Sequence, residues 1–138
     1  MSGVRKKDQS EHRFTTLDLC LNVYDHTSTV IANPKFSACK SLVERIDTEA
    51  SLIYHCVRCA NEDNDNRKKE EAEIRLKLQT EAIEHCLWLK TDIRLIQRKM
   101  HLRARKCIYW NKLVNKAMES IKSWHETEKR NYKEKFGL

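Results

Sequence analysis

The side chains with the widest chemical range in this sequence are six cysteines, six histidines and 27 lysines and arginines. Two of the cysteines stand as Cys56-x-x-Cys59 in "HCVRC", a spacing that metal sites and redox sites both use. Zinc takes four ligands, commonly from two such pairs, whereas Cys20, Cys39, Cys86 and Cys107 are scattered singly. A redox pair belongs where a strand meets a helix, and no strand is predicted here. Free cysteine packs as a small hydrophobe, so the expectation is core-facing, reduced thiols with no metal and no cofactor. A di-iron centre is equally remote, because it needs Glu-x-x-His and no histidine has a glutamate three residues before it. Glu81 and His85 in "EAIEH" read as surface partners at helical spacing.

One catalytic reading has specific residues. Some helical ribonucleases, the nucleotide-binding domains from higher eukaryotes and prokaryotes, use an Arg and a His separated by four to six residues. Arg94 and His101 have six residues between them in "RLIQRKMH". His would act as general acid or base and Arg would stabilise developing phosphate charge. An arginine-rich segment also gives this match by chance, so no catalytic residue is assigned. The chain has no internal glycine between Gly3 and Gly137, hence no phosphate-cradling loop, and no serine-nucleophile motif. The expectation is a protein that is not an enzyme.

The stronger chemical signal is an omission. Residues 93–118, "IRLIQRKMHLRARKCIYWNKLVNKAM", hold eight lysines and arginines and no carboxylate. They are Arg94, Arg98, Lys99, Arg103, Arg105, Lys106, Lys112 and Lys116. A solvated helix ordinarily mixes signs, because Glu–Lys pairs at i,i+4 add a few tenths of a kcal/mol. "RKKEEAEIRLK" at 67–77 does so; the later stretch does not. Its cations repel one another unless a polyanion offsets them, and the arginine-rich part suits bidentate phosphate contacts. These eight residues are the candidate nucleic-acid-binding set.

The elements that must position this set are helices. The one proline is Pro34 and both glycines are terminal, which leaves no tight reversals for strands. The positions Phe14, Leu17, Leu21, Tyr24, Ser28 and Ile31, apolar except for Ser28, define a first helix that stops near Ala32, before Asn33-Pro34. A second helix starts near Ser37 and carries Leu42, Ile46, Glu49, Ile53, Cys56 and Ala60, with Val43, Ala50 and Val57 beside them. It ends in the loop-like "NEDNDN" at 61–66. A third stripe runs Ile74, Leu78, Ala82, Cys86, Leu89, Ile93, Ile96, and a fourth Cys107, Trp110, Val114, Ala117, Ile121, Trp124. A turn around 98–103 is needed between these two, though no residue marks it. Each stripe is too narrow to hold a lone helix, so the prediction is an all-α, antiparallel up-down four-helix bundle over 14–132. Residues 1–13 and 133–138 are read as tails.

Charge is lopsided along the chain. Residues 1–66 carry −2 and residues 67–138 carry +9, within a net +7. Such asymmetry favours a polyanionic partner. No stretch approaches the roughly 18 apolar residues of a membrane span, and "MSGVRKKDQSEHR" has no apolar signal core. A cytoplasmic protein that does not engage a membrane is expected. The apolar residues Val23, Val30, Tyr54, Leu87, Tyr109 and Leu113 lie beside the stripes and predict self-association.

The pattern resembles the accessory variability determinant of diversity-generating retroelements. "NPK" (33–35) stands between the first two helices, and "LVERI" (42–46) resembles the family's Arg-Ile step. "AIEHCLWLKTDIRLI" (82–96) resembles the apolar end of its third helix, and "KAMESIKSW" (116–124) its tryptophan-closed ending. The resemblance implies a homopentameric barrel with positive surfaces that binds the reverse transcriptase of the same element and supports error-prone copying of a template RNA. It would hold the template RNA and cDNA without being the polymerase. A helical ribonuclease using Arg94 and His101, or a purely structural interaction bundle, are the other classes.

Overall fold

The computed structural model describes residues 15–62 and 64–138 in full and, over 2–14, the backbone. The expected tail at 1–13, and Phe14 as the first core position, therefore lie outside the residues whose side chains are described. The protein is all-α: α1 spans Ser2–Ile31, α2 Lys40–Glu62, α3 Lys69–Met100 and α4 Ala104–Phe136, with a 3-10 segment over Pro34–Cys39 before α2. Among the described residues there is no strand. The helices form a four-helix bundle in which α1 packs on α2 and α4, α2 on α3, and α3 on α4.

Each connection has a local cause. Asn33 is extended (φ −64°, ψ 127°), as a residue before proline must be, and its Oδ1 accepts the Lys35 N–H at 3.1 Å. This turn drives Phe36 into the core at 3% exposure. In the second connection Asn64 Nδ2 donates to the Cys59 carbonyl, and the Asp65 N–H donates to Glu71, one turn into α3 (both 2.9 Å). The third connection is three residues long. His101 adopts the left-handed conformation (φ 52°, ψ 45°), and its N–H and that of Leu102 both close onto the Gln97 carbonyl. α3 therefore ends at Met100, and α4 starts at Ala104 behind the extended Arg103.

The periodicity marks the core residues of α2 and most of those of α4, where Met118, Glu128 and Tyr132 are buried as well. Leu42, Ile46, Glu49, Ala50, Ile53, Cys56, Val57 and Ala60 are buried on α2, and Cys107, Trp110, Val114, Ala117, Ile121 and Trp124 on α4. Two expectations are corrected. The buried line of α1 is Thr16, Cys20, Val23 and Thr27, one residue away from the predicted Leu17–Leu21–Tyr24–Ser28 stripe. The displacement follows from hydroxyl chemistry: Thr16 Oγ1 meets Ser120 Oγ at 2.6 Å, and Thr27 Oγ1 accepts Trp110 Nε1–H at 3.0 Å. Polar residues with partners pack inward, and Leu17 and Tyr24 flank them. On α3 the predicted starting position Ile74 is 49% exposed, while Arg75 and Gln79 are buried in its place.

Arg75 owes its burial to partners on all three of its guanidinium nitrogens. Its Nε and second terminal nitrogen bind Glu128 at 2.7 and 2.8 Å, and its first terminal nitrogen binds the Ala60 carbonyl at 2.6 Å. Gln79 Nε2 donates to the same carboxylate at 2.6 Å, and Gln79 Oε1 meets His125 Nδ1 at 2.8 Å. The network joins α2, α3 and α4, and losing either charge would strand the other in the interior.

Candidate nucleic-acid interface

All eight cations of the 93–118 segment are exposed. Arg94, Arg98 and Lys99 occupy the last two turns of α3, Arg103 caps α4, and Arg105 and Lys106 stand in its first turn. Lys112 and Lys116 follow along α4, the latter about 16 Å beyond Arg105 at 1.5 Å per residue. Among the described residues no ion pair involves any of the eight. α4 has no acidic residue in its first turn and no side-chain cap, so its N-terminal dipole adds to the positive field.

Spacing gathers part of the set into a line. Arg105, Lys112 and Lys116 fall at i, i+7 and i+11, which is one face of α4, and Tyr109 at i+4 shares it. Tyr109 is 51% exposed, so an aromatic ring is interleaved with cations along this face.

Beside this face lies a cleft of about 420 Å³, formed by the last turns of α1, the 3-10 segment, Leu102 and the start of α4. Cations Lys35, Arg105 and Lys106 border it, and aromatic His26, Phe36, Tyr109 and Trp110 wall it. No carboxylate lines it. Sequence reasoning missed Lys35 and His26 altogether and took Tyr109 for self-association surface. The i, i+4, i+7 relation of Arg105, Tyr109 and Lys112 was the available signal for the ring. Nothing local in the sequence pairs residues 26 and 35 with 105.

Below the cleft the geometry is fixed by several contacts. Trp110 is 1% exposed and held by Thr27, and the His26 ring meets Tyr109 edge-on at 5.0 Å between centroids. Burial lowers the His26 pKa, which favours the neutral imidazole. Lys35 Nζ lies 5.4 Å from the Phe36 ring centroid, a cation–π contact that tethers the ammonium near the rim. Between α2 and α3, Arg45 binds Asp92 through two 2.8 Å hydrogen bonds, so that buried carboxylate is neutralised within the protein.

Arg94 and His101, the pair of the ribonuclease reading, are both exposed, and neither lines the cleft. His101 has a backbone task as the left-handed residue of the α3–α4 turn. The six cysteines form no disulfide. Burial pushes the thiols of Cys56 and Cys86 up to about 11 and 12, so both are protonated and unreactive at neutral pH.

Comparison with known proteins finds no matching family model, no matching curated protein and no matching solved structure.

Proposed function

We propose that this protein is a non-enzymatic, nucleic-acid-binding accessory factor of a retroelement reverse transcriptase. In this reading it holds template RNA and cDNA during mutagenic reverse transcription, works in the cytoplasm, and assembles as a homo-oligomer, a pentamer by resemblance. The bundle is read as antiparallel and up-down. Contacts such as Cys39–Met100 with Arg45–Asp92, and Thr27–Trp110 with Thr16–Ser120, descend one helix as they climb its partner. Leu102, Arg105 and Lys106, at and just after the α3–α4 turn, line the same cleft as Lys35.

One observation carries the reading: eight exposed cations across 26 residues without a compensating carboxylate. Surfaces with this charge concentrate polyanions and bind phosphate by counterion release. The named element and polymerase rest on the resemblance in "NPK", "LVERI", "AIEHCLWLKTDIRLI" and "KAMESIKSW".

The test is the salt dependence of binding. Changing Arg94, Arg98, Arg103 and Arg105 to Gln should weaken single-stranded RNA and DNA alike, because phosphate contacts position without reading sequence. At about 0.7 per phosphate contact, the log–log salt slope should flatten by roughly 3 units. Helical content should persist, since none of the four is in the core. A folded quadruple variant with an unchanged slope would remove the nucleic-acid reading. Co-purification with the reverse transcriptase of the same element tests the partner separately.

A further inference from the structure

The cleft between the end of α1, the 3-10 segment and the start of α4 has the composition of a site for one unstacked nucleotide. Its volume of about 420 Å³ lies in the range of small-ligand sites, roughly 300–1,000 Å³. Its interior is aromatic and apolar, with Phe36 at 3% and Trp110 at 1% exposure forming the floor. Tyr109 stands half-exposed at the mouth, where a planar ligand can lie against its ring. Thr29 and Asn33 supply hydrogen-bonding groups among the lining residues.

Charge selects among possible occupants. Lys35, Arg105 and Lys106 border the cleft and no carboxylate opposes them, so an apolar side chain or a cationic peptide is a poor match. A base with its flanking phosphates satisfies both parts at once: the ring takes the aromatic walls and the phosphates take the cations. The cleft also continues into the Arg105–Tyr109–Lys112–Lys116 face of α4, which supplies a path for the neighbouring phosphates. A fully paired duplex offers no base that could enter.

We propose that this cleft receives a single unpaired base of the bound strand, stacked against Tyr109, with the flanking phosphates held by Lys35, Arg105 and Lys106. The proposal rests on the nucleic-acid reading above and narrows it to single strands. Tyr109 is then a binding residue, and His26 positions it through their edge-on contact.

Two fluorescein-labelled 12-mers test this by anisotropy: oligo(dT), and a strand of abasic residues with the same phosphates. The wild-type protein should bind oligo(dT) more tightly by roughly five- to 150-fold, the amount one base–aromatic stack contributes. Tyr109→Ala should bring the two strands to equal affinity with the salt slope unchanged, and Tyr109→Phe should keep the preference. Thr29→Trp, which fills the cleft from its exposed wall, should abolish the preference without touching Tyr109 and stands in should Tyr109→Ala fail to fold. Equal binding of both strands by the wild type, with a steep salt slope, overturns the cleft and leaves the phosphate-binding reading intact. Binding of neither strand at low salt overturns both. Loss of reverse-transcriptase association in Tyr109→Ala, with no base preference in the wild type, would assign the cleft to a protein side chain instead and also sink the proposal.

Discussion

Glu49 is 8% exposed on α2, and its carboxyl is pushed up to about 8 from an ordinary 4.5. Burial is the main cause, with the hydrogen bond and charge of Asp92 adding to it and Arg45 opposing. The neutral form is therefore the native one at pH 7. Between pH 4.5 and 8 the folded chain retains a proton that the unfolded chain has released, so stability falls as pH rises across that window. Below it the contribution is fully present; above it the contribution is gone. Glu49→Gln should remove this slope and exceed the wild type in melting temperature at pH 9. Parallel melting curves for the two proteins from pH 5 to 9 would show that Glu49 is ionised in the fold. The residue scale is also where sequence reading loses most. Hydropathy placed Thr16 and Thr27 outside the core, since a threonine's burial depends on a partner 104 or 83 residues away. Arg75 is the same case: its guanidinium is held by Glu128 of α4 and the Ala60 carbonyl of α2, neither of which is visible from position 75.

At the scale of the element, α2 and α4 were legible because their buried faces are almost wholly apolar, and α1 was misread by one position because its face is half hydroxyl. The α3–α4 break falls within the expected 98–103, but no residue marked its position. Helices usually stop at a glycine in the left-handed conformation, and here a histidine occupies it. A non-glycine residue pays about 1–2 kcal/mol in that conformation. His101→Gly should therefore stabilise the protein by about 1 kcal/mol, seen as a later urea midpoint with an unchanged m-value. His101→Val should move the midpoint the other way, because a β-branched side chain is hard to fit at positive φ. A neutral or destabilising glycine substitution would mean that His101 contributes through its ring rather than its backbone. The exposure of the eight cations at 93–118 was legible, since charge omission over 26 residues needs no tertiary information. The cleft was not, because it joins α1, the 3-10 segment and α4 across more than 70 residues of sequence.

For the whole molecule, the question is what covers the outer face of α3. Ile74, Leu87, Trp88 and Leu95 are 49%, 49%, 61% and 41% exposed, and all four belong to that helix. Trp88 and Leu95, seven residues apart, share one side of the helix; Leu87 sits about 100° round from Trp88, and Ile74 is set apart from them by Lys77, Glu81 and Glu84. This corrects the basis for expecting self-association. Val23 is in the core at 0% exposure, and Val30, Tyr54 and Leu113 pack against the core, which leaves Leu87 and Tyr109 exposed, Leu87 on this helix and Tyr109 on α4. The short exposed apolar strip of Trp88 and Leu95, with Leu87 beside it, is characteristic of an interface. Closed rings of identical subunits bury one such strip per subunit against a different patch of the neighbour. We therefore expect a homo-oligomer whose mass by native mass spectrometry at micromolar concentration is a small multiple, five by resemblance, of 16.4 kDa. Trp88→Glu should shift the population toward monomer, since a carboxylate buried at the contact would be unpaired. The same variant has a consequence for nucleic acid. A ring presents several basic faces to one strand, so binding a second face becomes intramolecular and avidity rises by as much as 10²–10⁴-fold. Long single strands should lose affinity in Trp88→Glu while strands of a few nucleotides, able to reach one subunit, should not. A monomeric wild type, or a Trp88→Glu protein that keeps its mass, would place the interface elsewhere or abolish it.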